Sequence, residues 1–108
     1  MADRSIAIHG SWIELSDSAL RSNLRFLRRL LGRGTAFVSV VKGNAYGHGI
    51  ETFVPMAERA GVRRFAAFGA AEGARILGCC RADSEIMIMG DLADEAVSWA
   101  VEQGVSFW

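Results

Sequence analysis

Lys42 is the single lysine in a chain with eleven arginines, and the one tyrosine and one of the two histidines fall within the next six positions. The segment reads Lys42-Gly43-Asn44-Ala45-Tyr46-Gly47-His48-Gly49 and follows an apolar run, Phe37-Val38-Ser39-Val40-Val41. A lysine amine can lose its proton in a suitable pocket and attack a carbonyl carbon, whereas a guanidinium stays charged. A lone amine at the end of a strand, on a glycine-bearing turn, is therefore a candidate reactive group. Tyr46 follows at four residues, within reach of the same ligand. Asn44 and His48 carry hydrogen-bonding groups that can orient the loop, and Gly43, Gly47 and Gly49 let backbone come close to a bound molecule. The spacing is not that of a phosphate-binding P-loop, which ends in Lys and Ser or Thr. A plain strand-to-helix turn would also use glycine and asparagine, so it is the lysine that favours chemistry.

The elements around this segment follow from periodicity. Trp12-Ile13-Glu14-Leu15 alternates as a short strand. Ser16 or Asp17 then caps a helix, whose apolar stripe is Leu20, Leu24, Leu27 and Leu31, and Gly32 or Gly34 ends it. Residues 36–41 form a buried strand and 43–49 a loop. A helix follows from Glu51 to Ala60, in which Pro55 fits the first turn or a kink. Gly61 closes it. Arg64 to Phe68 is the next strand, Ala71 to Cys79 the next helix despite Gly73, and Glu85 to Met89 a third buried strand ended by Gly90. Asp94 to Gln103 is a further crossover helix, and Val105-Ser106-Phe107 begins a fourth strand. Strand and helix alternating at this interval imply βαβ units and a parallel sheet.

Composition narrows the function classes. A content of 51% hydrophobic and 22% charged residues is that of a globular domain. Twelve basic and twelve acidic residues cancel, which gives no net attraction to nucleic acid or anionic membrane. Arg21, Arg25, Arg28, Arg29 and Arg33 lie on one helical segment and read as its solvated face. No stretch is apolar enough to span a bilayer, and Met-Ala-Asp-Arg-Ser has no signal core, so a cytoplasmic location is expected. Cys79 and Cys80 are adjacent, which is no metal-ligand spacing; they are expected as reduced, partly buried thiols, with no metal site.

A parallel sheet needs helices on both faces or closure into a barrel, and a (β/α)₈ barrel takes about 250 residues. About four βα units are present here, so the chain reads as the first half of such a barrel. Barrel active sites lie at the C-terminal ends of the strands. Lys42 is at that end of the first barrel strand and Met89-Gly90 at that end of the third. A lysine there can form a Schiff base, most usefully with the aldehyde of pyridoxal phosphate.

Val40-Val41-Lys42-Gly43-Asn44-Ala45-Tyr46-Gly47-His48-Gly49 closely resembles the pyridoxal-phosphate attachment signature of bacterial alanine racemases, with Gly43 where the usual pattern has alanine. Trp12 to Leu15 with Ala19-Leu20 and Asn23-Leu24 is similar to the family's opening strand and helix. Phe65 to Phe68 with Glu72, and Ile86 to Gly90, resemble its next two strands. The resemblance implies an α/β fold: the first half of a TIM-type barrel over residues 1–108, with an N-terminal strand and helix. On that expectation the chain is truncated before closure and lacks the family's C-terminal β-domain.

It further implies that Lys42 carries pyridoxal 5'-phosphate and serves as the base on the D-alanine face. Tyr46 would contact the cofactor phosphate, and Met89 would line the cofactor. The small-molecule substrate would be alanine, the product D-alanine for peptidoglycan, and the full-length parent a homodimer. In the family a tyrosine from the partner subunit's C-terminal β-domain is the opposite-face base. Here the only tyrosine is Tyr46, so the chain alone is not expected to turn over alanine. Two alternatives stay open: a broader amino-acid racemase of the same fold, and a non-catalytic domain that binds the cofactor.

Overall fold

Ser16 opens the first helix: its Oγ accepts the Ala19 N–H at 3.2 Å, occupying one of the amides that a helix start leaves unpaired. The helix, α1 (Asp17–Leu31), belongs to a computed structural model that describes residues 10–108; His9, unassigned from the sequence, lies outside them. Leu24 is buried and Leu20 packs against the core, but Leu27 and Leu31 are each 39% exposed, so the described residues cover only half of the expected stripe. Gly32, at φ 73°, ends the helix and donates its N–H to the Arg28 carbonyl at 3.1 Å. Arg28 in turn donates to the Ala60 carbonyl at 3.2 Å, with its guanidinium over Gly61. The expected strand at Trp12–Leu15 does not form. Trp12 and Ile13 are exposed, and the segment pairs with no strand among the described residues.

The sheet is parallel throughout. Strands β1 (Ser39–Val40), β2 (Arg64–Ala67) and β3 (Glu85–Ile88) lie in the order β1-β2-β3. Ser39 is opposite Phe65 and Val40 opposite Ala66, while Phe65 is opposite Ile86 and Ala66 opposite Met87. β1 is shorter than the apolar run suggests: in this register Phe37 runs past the start of β2, and Val38, opposite Arg64, stays outside the ladder. The expected fourth strand is present at its beginning: Ser106 bridges Met87, donating to the Ile86 carbonyl and accepting from the Ile88 N–H.

Helices α3 (Ile50–Arg59), α4 (Ala70–Cys79) and α5 (Asp94–Gln103) form the crossovers. Pro55 is the sixth residue of α3, not in its first turn. It removes the bond that would reach the Glu51 carbonyl, and burial of Val54, Met56 and Ala57 holds the helix through that loss.

Burial is heavier on one face of the sheet, although Ala66 on the other face is fully buried too. Val41, Phe65, Ala67, Ile86 and Ile88 alternate along the strands and form one core with Ile50, Val54, Ala57, Ile76 and Ala100 of the helices. The intervening residues Val40, Ala66 and Met87 project from the other face, as the two-residue period of a strand requires. Glu58 is the one buried charged side chain among the described residues. Its carboxylate accepts the Arg81 N–H at 2.7 Å and the Ser84 hydroxyl at 2.5 Å, fastening α3 to the loop that enters β3. Cys79 and Cys80 are free and half-buried, and burial pushes both thiols up from their ordinary range.

At Gly73, α4 meets β3 so closely that an added Cβ would lie 2.8 Å from Ile88 Cδ1 and 3.3 Å from Trp99. Gly78 on the same helix has open space. Urea unfolding is therefore expected to separate the two: Gly73→Ala destabilises by about 1–2 kcal/mol through overpacking. Gly78→Ala stabilises by roughly 0.5 kcal/mol through helix propensity.

Candidate active site

The last ladder bond of β1 runs from the Val41 N–H to the Ala66 carbonyl at 2.8 Å, and Lys42 leaves the sheet directly after it. The segment expected as a loop is a left-handed turn, α2 (Lys42–Tyr46). Gly43 (φ 61°, ψ 41°), Asn44 (55°, 49°), Ala45 (56°, 46°) and Tyr46 (φ 53°) all have positive φ, and Gly47 continues at φ 87°. The turn has its own hydrogen bonds, from Ala45 N–H to the Val41 carbonyl at 2.8 Å and from Gly47 N–H to the Gly43 carbonyl at 3.0 Å. Left-handed helix costs roughly 1–2 kcal/mol per L-residue, with asparagine the most tolerant. Three consecutive non-glycine residues in that region need outside support.

Glu72, in the first turn of α4, provides it. Its Oε2 accepts the Asn44 N–H at 3.0 Å, and its Oε1 accepts the Phe68 N–H at 3.3 Å. One carboxylate thus ties the turn after β1 to the end of β2. The Asn44 side chain points onward: its Oδ1 accepts the Ile50 N–H at 3.1 Å, capping α3, and accepts from Arg75 Nη2 at 2.7 Å. Arg75 forks onto Glu51, with Nε to Oε1 at 2.8 Å and Nη2 to Oε2 at 2.7 Å. That guanidinium, helped by the residue's own backbone N–H, holds the Glu51 carboxyl down at about 2. His48 Nδ1 donates to the Ala45 carbonyl at 2.8 Å. Ala45 itself is buried in the core.

The network leaves two groups facing outward. Lys42 is half-buried, and Tyr46 is 63% exposed. Among the described residues, neither the lysine amine nor the tyrosine hydroxyl has a hydrogen-bond or ion-pair partner. A primary amine and a phenol four residues apart on one turn, both without a partner among the described residues, are groups whose chemistry fits an aldehyde-bearing phosphate ester such as pyridoxal phosphate. Continuing the strand register by two residues puts Lys42, Phe68 and Met89 at one level of the sheet's C-terminal end. Met89 donates its N–H to the Ala67 carbonyl at 2.8 Å and leaves its side chain partly exposed there. Among the described residues, no three His, Cys, Asp or Glu side chains are grouped to hold a metal ion.

Of the sequence-predicted site residues, Lys42 and Met89 follow β1 and β3 at the sheet's C-terminal end and Tyr46 closes the turn after Lys42; Asn44 and His48 hydrogen-bond within or beside that turn. Glu72 entered the sequence reading only as a flanking match. Arg75, Glu51 and Phe68 were not singled out. The local signal for Arg75 is weak: it is one helical turn after Glu72, but its partners Asn44 and Glu51 are 31 and 24 residues away.

Residues 15–107 match the family model "Alanine racemase, N-terminal domain". An alanine racemase of Leptospira interrogans is 31% identical over 100 residues, covering 93% of this chain and 25% of its own length. The alanine racemase structure from Oenococcus oeni superposes with a TM-score of 0.76 at 29% identity, covering 87% of this chain and 26% of that one. The Bartonella henselae alanine racemase, with covalently bound pyridoxal phosphate, superposes with a TM-score of 0.73 at 24% identity, over 84% of this chain and 26% of that one. The chain spans about a quarter of the length of the curated relatives it matches.

Two outcomes test the geometry. Glu72→Ala removes the acceptor of two amides and is expected to cost about 1–2 kcal/mol in denaturant unfolding. Arg75→Met should return the Glu51 carboxyl, followed by NMR titration, to the ordinary glutamate range near ~4.3. Because the folded-state value is depressed, the stability this pair gives is complete above the ordinary carboxylate range. It is lost as the pH falls toward about 2.

Proposed function

This chain belongs to the alanine racemase family, and on that premise we propose that it is the cofactor-lysine segment of a pyridoxal-phosphate-dependent racemase that interconverts L- and D-alanine. The observation that carries the reading is the Lys42 amine, unpartnered among the described residues, at the C-terminal end of a parallel strand and presented by a turn whose backbone is fixed by Glu72. Cofactor sites of barrels lie at that end of the sheet, and the Bartonella henselae relative in fold carries the cofactor covalently.

Lys42 would hold the cofactor through Nζ and would serve as the base on the D-alanine face. The Tyr46 hydroxyl would donate to the cofactor phosphate, and Met89 would give the pocket an apolar side. When bound, pyridoxal phosphate supplies the electron sink that lets the Cα–H bond ionise. The turn contributes by orientation: backbone hydrogen bonds hold Lys42 in place before any ligand arrives, so less ordering is needed on binding. Racemisation also needs a base on the opposite face. Tyr46 is the only tyrosine of the chain, and that second base comes from a partner subunit in a homodimer. The physiological role is supply of D-alanine for peptidoglycan in the cytoplasm.

Incubation with pyridoxal phosphate, borohydride reduction and peptide mass mapping tests this reading. The label is expected on Lys42 and nowhere else in Lys42→Arg-sensitive yield. A label confined to the N-terminal amine, or one that persists unchanged in Lys42→Arg, contradicts it.

A further inference from the structure

Phe68 is the residue at the rim that the reading above leaves without a task. It follows the last residue of β2 and stands at the level of Lys42 on one side and Met89 on the other. Phe68 is 61% exposed, much as Phe26 on α1 is, so exposure alone does not set it apart; its support does. Its N–H is bound by Glu72, the same carboxylate that binds the Asn44 N–H in the lysine turn. Its carbonyl accepts the Gly90 N–H at 2.9 Å. The ring lies over Gly90 so closely that a Cβ there would come 2.8 Å from Cε2 and 2.9 Å from Cζ. A glycine is required beneath the ring, and a carboxylate fixes its backbone to the backbone of the lysine turn. An exposed aromatic face with this much support, next to a reactive amine, has the properties of a preformed apolar wall.

We infer that Phe68 is a cofactor-contacting residue that walls the Lys42 site on the β2 side, its ring set against the flat heteroaromatic ring of the cofactor and shielding the lysine linkage from water. The inference rests on Lys42 being the attachment point. Attachment joins Nζ to the aldehyde carbon as a C=N bond and releases one water; detachment consumes one water and restores amine and aldehyde. A wall that packs against the bound ring and limits water access slows detachment without altering how the chain folds. Aromatic contacts of this kind correspond to roughly a two- to tenfold change in lifetime.

The test compares the parent chain, Phe68→Ala and Phe68→Leu, each loaded with pyridoxal phosphate. After dilution into cofactor-free buffer, the visible absorption and the borohydride-trapped label on Lys42 are followed in time. Phe26→Ala, which removes an equally exposed phenylalanine on α1, is the control. Phe68→Ala is expected to lose cofactor roughly two- to tenfold faster than the parent. Phe68→Leu should fall between them, and Phe26→Ala should match the parent, with thermal unfolding midpoints similar throughout. Equal lifetimes for Phe68→Ala and the parent, both labelled at Lys42, overturn this inference alone. Equal acceleration in Phe26→Ala overturns it too, because the effect is then not local. A parent that never labels at Lys42 overturns the cofactor reading and this inference together.

Discussion

A single carboxylate compensates for the least favourable backbone in the molecule. Residues 43 to 46 turn left-handed, and three of them carry a Cβ that this conformation crowds against the backbone. Glu72 accepts one amide from that turn and one from the end of β2, so the strained segment is bound to the sheet from which it departs. Asn44 then uses its side chain to start α3, and the same oxygen receives Arg75. Strain, cap and ion pair are linked, and the Lys42 side chain is their product. Backbone strain of this kind persists where surrounding contacts over-determine it, and such places are characteristic of sites.

The sheet explains why the site opens where it does. One face is buried under α3, α4 and α5, and that burial holds the strands in parallel register. The helices follow the strands, so each strand delivers its following loop to the same end. Lys42, Phe68 and Met89 follow three different strands, and continuing the strand register past Val40, Ala66 and Met87 by two residues puts them at one level. Close packing fixes that level: Gly73 brings α4 down onto β3, and Gly90 lets the Phe68 ring lie over the end of β3. A shift of either strand by one residue would exchange the buried and open faces.

Much of this was legible in the sequence. Six of the expected elements, four helices and two strands, formed to within a residue or two, because period and bounding glycines are local signals. The lysine stood out by composition and position. Four features were not legible. Trp12 to Leu15 has a strand's alternation but finds no edge to pair with, and pairing is not a local property. Pro55 suggested a first turn or a kink; it stands sixth in α3, inside the helix, where its neighbours are buried. The left-handed turn was read as a loop because its glycines and asparagine permit positive φ without demanding it. What demands it is Glu72, 28 residues from Asn44, and no spacing rule links the two. Phe68 looked like the last apolar residue of a strand, and only its support by Glu72 and its contact with Gly90 set it apart.

The claim on which the account depends is that the backbone after Lys42 is left-handed and held so by Glu72. NMR in solution measures it directly, because one-bond Cα–Hα couplings and intraresidue amide–Hα contacts distinguish positive from negative φ. The account predicts positive φ at Asn44, Ala45 and Tyr46 in the parent chain, with that signature weakened in Glu72→Ala. Negative φ at these residues in the parent, or a signature indifferent to the loss of Glu72, would contradict it.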